Sequence, residues 1–273
     1  RALPLALVIA GAVGFAISIS ILTIRHHHKL GTAAYDLGIF NNLFYNALIG
    51  HPFRSYVQVP GGDWSSLQAH AELSTFFFLP FYALSPRAET ILILQAVCVA
   101  AGAIPVYLIA QRRISRFAAM LVAACYLLYA PAHSGIFYDF HFQPVATPFV
   151  LWAFYFLDAR KNLPFAVFFL IALGCREDIS VMLAVAGALV MLTGYRPLAG
   201  LVVALISASY FVLIKFVIMP RFGSWWFHDM YKDLFPAGET TFGGVIKTLL
   251  TNPLFVLGTL LTTSKTLHLR SEE

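Results

Sequence analysis

The stretch LPLALVIAGAVGFAISISILTI, residues 3–24, contains no charged residue and only Ser18, Ser20 and Thr23 as polar side chains. It outlasts the ~7–15-residue apolar core of a secretory leader. It also meets the ~20 residues a helix needs to cross about 30 Å of hydrocarbon. It reads as a first membrane span. The remaining sequence follows suit: of 273 residues, 59% are hydrophobic and 11% charged, with a mean hydropathy of +0.77. Soluble domains carry about 25% charge, so a water-soluble globule is excluded. With 25 Phe and 12 Tyr beside 3 Cys, disorder and a disulfide scaffold are excluded as well. The net charge of +5 reflects Lys and Arg flanking the apolar runs, and no nucleic-acid partner is expected. The chain begins at Arg1, so residues 1–273 are read as a single transmembrane domain, a piece of a longer protein.

Outward from the first span lies a polar stretch, residues 25–72, expected as a large first outer loop. Within it Leu37, Phe40, Phe44 and Leu48 recur at helical spacing, which predicts an amphipathic helix on the membrane surface with Asp36 at its N-terminus. Residues 73–84 are too few to span and read as a juxtamembrane or re-entrant segment. Ser85 and Pro86 then look like the cap and first residue of a new helix. Further spans are expected at residues 88–110, 117–130, 144–157, 163–174, 179–192, 198–219 and 245–261. That makes an all-α polytopic bundle of about eight spans. With the N-terminus inside, Arg112, Arg113, Arg116, Arg160, Lys161, Arg196, Lys265 and Arg270 all fall on the cytoplasmic side. Residues 163–192 admit two readings, a pair of tilted helices or one interrupted span with Arg176, Glu177 and Asp178 near the bilayer centre. Arg196 favours the pair.

The polar groups sort to the outer loops: Asp36, His70 and Glu72 in the first, Asp139 and His141 in the second, Arg176, Glu177 and Asp178 in the third, Arg221 and His228 in the fourth. Asp36 is a candidate general base for a group transfer at the membrane surface, and equally a helix cap. Asp139 and His141 share a face if their stretch is extended, and would then converge on one proton or one metal. A carboxylate pair such as Glu177-Asp178 between apolar runs is costly and marks a task, or else forms a local ion-pair cluster with Arg176. The run His26–His28 reads as an interfacial polar strip before a metal or phosphate site. Trp225, Trp226 and Phe227 read as interfacial anchors before the lining of a lipid groove. Ala10, Gly14 and Ser18 form a small-residue packing stripe, and Gly61-Gly62 is a turn. Cys98, Cys125 and Cys175 read as small buried hydrophobes. No P-loop, dinucleotide glycine pattern, nucleophile elbow or zinc spacing occurs.

Tyr35-Asp36-Leu37-Gly38-Ile39-Phe40, residues 70–84, Tyr138-Asp139-Phe140-His141 and Arg176-Glu177-Asp178 together resemble a bacterial and archaeal family of predicted membrane proteins, a domain of unknown function grouped with the C-type (GT-C) membrane glycosyltransferases. The resemblance covers nearly the whole chain. It implies a GT-C-like fold in the prokaryotic inner membrane, with a polyprenyl-phosphate-linked sugar as donor and transfer on the non-cytoplasmic face. It also implies that Asp36, and Asp139 from the next loop, act as base or metal-binding group, so a divalent cation is a possible cofactor. Many GT-C members carry a paired acidic motif where this chain has Ala34 and Tyr35 before Asp36. On this reading Asp36, Asp139 and His141 are catalytic. His70, Glu72, Arg176, Glu177, Asp178, Arg221 and His228 bind substrate, with Arg176 or Arg221 on the donor phosphate. The alternatives are a proton- or ion-coupled transporter or lipid flippase, using Glu177 and Asp178, and a non-catalytic protein on the same fold.

Overall fold

Apolar sequence makes helices here, and most breaks have a local cause. In the computed structural model, which describes residues 3–58, 64–137, 139–223 and 242–261, the first helix is α1, Leu3–His28. It runs past the apolar stretch through Arg25 and the histidines, whose positive or polar groups suit the carbonyl end of a helix. A π-turn, Ala34–Gly38, leads into α2, Ile39–Leu48. Two short strands, β1 Arg54–Ser55 and β2 Trp64–Ser65, pair antiparallel, and α3 covers Thr75–Leu84. The next helix starts at Ala88, two residues after Pro86, with Arg87 in the cap position. Ser85 does not cap it with its side chain; its carbonyl accepts from Thr90 Oγ1 at 2.5 Å.

Then come α4 Ala88–Ala101 and α5 Ala103–Ala110, joined at Gly102, α6 Arg116–Leu127 and α7 Ala130–Phe137. The expected helix 117–130 is thus interrupted before Ala130 and carried on to Phe137. They are followed by α8 Phe142–Asp158, α9 Asn162–Cys175, α10 Glu177–Leu192 and α11 Pro197–Val212. The last continues through a π-turn, Leu213–Ile218, and a 3-10 turn, Met219–Arg221. All of this lies in one compact unit, residues 1–222. A second unit, residues 223–273, contains α12 Phe242–Thr251 and α13 Pro253–Leu261. The helix expected at 245–261 is therefore broken at Asn252, because a proline disfavours helical geometry at the residue before it.

Three helical stretches, Leu3–His28, Ala88–Ala110 and Pro197–Arg221, are long and apolar enough to cross a membrane. The other expected spans of the first unit are shorter: α6 has 12 residues, α8 17, α9 14 and α10 16. Helix length alone thus supports three spans, not eight. The stretch 163–192 is two helices hinged at an extended Arg176 (φ −167°, ψ 149°). Tyr195, just past α10, donates to Asp158 at the end of α8 at 2.7 Å, and α9 starts close after Asp158. So α9 and α10 run antiparallel, with Arg176–Asp178 at the far end.

The largest apolar cluster joins Leu37, Phe40 and Phe44 to Phe78 and Tyr82 of α3, Phe140 and Phe142 at the start of α8, and Phe169 and Cys175 of α9. The α2 face expected to lie on a membrane surface is instead packed into this core, and only Leu48 of that stripe is exposed. Backbones of α10 and α11 touch: a Cβ on Gly187 would stand 2.6 Å from Ala204 N, and one on Gly200 2.4 Å from Met191 N. Small residues permit that approach. The stripe expected on α1 does not pack among the described residues, since Ala10, Gly14 and Ser18 are exposed. Of the cysteines only Cys175 is buried, Cys98 is partly so, and Cys125 is exposed. Trp225, Trp226, Phe227 and Gly61-Gly62 lie outside the described residues.

Candidate functional site

Long-range polar contacts gather at two ends of the first unit, separated by α8. His141 precedes that helix and Asp158 closes it, and 17 residues at about 1.5 Å each put about 25 Å between them. At the Asp158 end, Arg112 Nε and Arg113 lie 2.8 Å from its two carboxylate oxygens, Tyr195 donates at 2.7 Å, and Arg196 donates to the Leu157 carbonyl at 2.7 Å. Burial alone would raise the Asp158 carboxyl, but the Tyr195 and Arg113 hydrogen bonds and the arginine charges hold it below its usual range.

At the other end two clusters form. The first is set by Gln95 of α4, which is fully buried. Its Nε2 donates to the carbonyls of Asp139 (2.8 Å) and Ile136 (3.2 Å), and its Oε1 accepts from the His141 amide at 2.7 Å. This clamp holds Asp139 in the left-handed region, φ 60°. The extended geometry that would put Asp139 and His141 on one face is therefore absent, and the two side chains part. Asp139 Oδ2 accepts from the Ala33 amide at 2.7 Å, at the entrance to the π-turn and α2. Asp36, expected to cap that helix, makes no cap hydrogen bond. Asp36 Oδ1 stands instead 3.5 Å from His141 Nε2, with 28% and 21% of their side chains exposed. Phe40 sets its ring edge-on to His141 at 5.6 Å.

The second cluster surrounds Glu177, the first residue of α10. Oε1 lies 2.9 Å from His70 Nδ1 and 3.6 Å from Lys215 Nζ, and Oε2 accepts from the Ala71 amide at 3.0 Å. Burial would raise this carboxyl; the hydrogen bond and charge of His70 and the Ala71 amide outweigh it and hold it low, at about 2. Neighbouring Glu72 is 3% exposed and has no hydrogen bond to its carboxyl among the described residues. Burial, opposed by Arg176 and helped by Glu177 and Asp178, pushes it up to about 8. Asp178 is half-exposed and pairs with Arg176 at 3.3 Å. The Ser74 amide donates to the Gly174 carbonyl at 2.7 Å, so the loop carrying His70–Glu72 is pinned to the end of α9.

The structure thus brings together Asp36 with His141, and His70 with Glu177. It gives Asp139 a backbone partner and leaves Arg221 exposed at the end of its 3-10 turn. His228 lies outside the described residues. Sequence reading missed Gln95 and Lys215. Their signal was present, since each is a lone strongly polar side chain in an apolar run, which is expensive in a membrane and tends to have a partner. Lys215 also sits in a π-turn, a deviation common at functional sites. Among the described residues no three His, Cys, Asp or Glu side chains meet. Asp36 and His141 offer two donors, which is not a closed set for a divalent ion.

A family model described as predicted membrane protein (DUF2079) matches residues 26–270. No curated protein and no solved structure matches the chain.

Proposed function

The chain belongs to the DUF2079 family of predicted membrane proteins, and we propose, from its site residues, that it is a multi-pass glycosyltransferase of GT-C-like architecture, working at the outer face of a prokaryotic inner membrane. The first unit then crosses the bilayer with α1, α4–α5, α6–α7, α8, α9, α10 and α11, and residues 245–261 give the eighth crossing. Two features support this topology. Polar contacts gather at the two ends of α8. The end with Arg112, Arg113, Arg116, Arg160, Lys161 and Arg196 is the one the positive-inside rule assigns to the cytoplasm. Exposed Leu, Ile and Val side chains on α1 and α11 form the kind of apolar surface that a membrane covers.

The observation that carries the activity is the Asp36–His141 pair. It is a carboxylate open to the outer end, beside an imidazole whose backbone is fixed by a buried glutamine. Asp36 takes the proton of the acceptor hydroxyl as that oxygen bonds to the anomeric carbon of the donor sugar. The bond from that carbon to the phosphate oxygen breaks, and its electron pair leaves on the polyprenyl phosphate. His141 orients Asp36, and Asp139 and Gln95 fix the loop from which it acts. Arg176 and Arg221 offer charge-assisted hydrogen bonds to the phosphate, and Glu72 and His228 complete the substrate contacts. Coupled transport is less well supported, because two of the three Glu177 partners, His70 and Ala71, come from a loop, and only Lys215 comes from a stretch long enough to span.

The test is sugar release from a panel of radiolabelled polyprenyl-phosphate sugars by the protein in liposomes. Asp36→Asn is expected to lower transfer by about 10²–10⁴-fold with unchanged thermal unfolding. Wild-type turnover by that variant removes Asp36 from the mechanism.

A further inference from the structure

Glu177 holds the residue pair His70-Ala71 at two points. One oxygen meets the His70 ring at Nδ1, 2.9 Å away, and the other accepts from the next backbone amide, 3.0 Å away. A carboxylate only accepts, so the ring nitrogen facing it is the one that bears hydrogen. The ring therefore cannot flip without breaking a bond, and Nε2 is left pointing away from Glu177. Nε2 has no partner among the described residues, and 21% of the side chain is exposed. On its buried side the carboxylate meets Lys215, which balances its charge. This is the arrangement by which an acid residue fixes the tautomer and aim of a histidine that moves protons.

We infer that His70 is a second proton-transfer residue, aimed by Glu177, with Nε2 as the working atom. The inference deepens the transferase reading and rests on it for the identity of the substrate. As the bond to the phosphate oxygen breaks, Nε2–H of the imidazolium donates its proton to that oxygen. The polyprenyl phosphate leaves with one proton more, the ring becomes neutral, and it is recharged from water. Asp36 takes the acceptor's proton in the same turnover, so protons balance. Glu177 is then a positioning residue and not a ligand for sugar hydroxyls, its two oxygens being occupied.

The experiment uses the full chain in detergent, labelled with nitrogen-15 histidine, and needs no substrate. The His70 signals are identified by their loss in His70→Gln. In the wild type the neutral ring is expected to carry its proton on Nδ1, and diethylpyrocarbonate is expected to acylate Nε2, as read by peptide mass spectrometry. Glu177→Gln should mix the tautomers. Should that variant fail to fold, Glu177→Asp, which keeps the charge for Lys215, should lengthen the contact and shift the Nδ1 signal. A wild-type ring protonated on Nε2, or an Nε2 closed to the reagent, overturns the inference whatever the activity. In the transfer assay His70→Gln should lose about 10²-fold or more, and wild-type transfer by it overturns the inference too. If no polyprenyl-phosphate sugar is turned over while the tautomer and Nε2 reactivity are as stated, the transferase reading fails and the aimed imidazole stands.

Discussion

Around Asp36 a carboxylate and a histidine stand 3.5 Å apart with 28% and 21% of their side chains exposed. Around Glu177 the same two residue types close to 2.9 Å, and the carboxylate is 4% exposed and held as well by a backbone amide and a lysine. The difference follows from burial. A charge taken out of water must have its lone pairs satisfied by the protein, so Glu177 collects partners from His70 and Ala71 of the loop and from Lys215 in the π-turn that follows α11. Asp36 keeps 28% of its side chain exposed and has His141 beside it at 3.5 Å. In the proposed mechanism the buried Glu177 aims the His70 ring, and the more open Asp36 takes the acceptor's proton.

Removing the buried carboxylate is the largest test of that contrast. Glu177→Ala removes the carboxylate that meets both Lys215 and His70 and should cost about 3–5 kcal/mol. Asp36→Ala, at the exposed pair, should stay within about 1 kcal/mol. Chemical denaturation of both variants in detergent checks the ratio, and equal losses would break the comparison.

Glu72 sharpens it by pH. Its carboxyl is raised from 4.5 to about 8, so between those values the folded chain keeps a proton that the unfolded chain has lost. This contribution is full below 4.5 and declines as pH rises through the window, at up to about 1.4 kcal/mol per pH unit. Unfolding free energies measured across that range should flatten in Glu72→Gln.

Gln95→Leu should cost about 1–3 kcal/mol by leaving the Asp139 carbonyl and the His141 amide without their partner. It should also lower transfer by loosening His141, and a drop in stability without loss of transfer would separate the clamp from the chemistry. A similarly small effect belongs to the opposite end. Asp158→Asn should cost about 1 kcal/mol. The Asp158 carboxyl is depressed in the fold, so its share is present above the unfolded carboxylate value and is lost as pH falls through the folded one. The variant should therefore show a shallower acid limb in thermal melts.

Sequence periodicity reached the helices because each apolar run is a local signal. The run 3–24 gave α1, and the cluster Arg176–Asp178 marked the hinge between α9 and α10. It misjudged continuity at Asn252 and before Ala130, although Pro253 and Pro131, each in the first turn of the following helix, stood in plain view. It also could not find the partners. Asp36 reads as a cap and Asp139 as the mate of His141 because spacing assumes regular backbone. The Gln95 clamp, from a helix more than forty residues away in the chain, forces Asp139 to φ 60° and hands the carboxylate to Ala33 instead.

By itself, then, the sequence determined that this chain is helical, apolar and built for a membrane, because hydropathy and helix period are carried by neighbouring residues. It also named the carboxylates and histidines between the apolar runs. Only the tertiary structure decided which of them meet: Asp36 with His141, His70 with Glu177, and Lys215 behind it. Those pairings are long-range contacts set by helices whose packing no local pattern encodes, and burial, which only the fold confers, enclosed the Glu177 carboxylate and left Asp36 partly exposed.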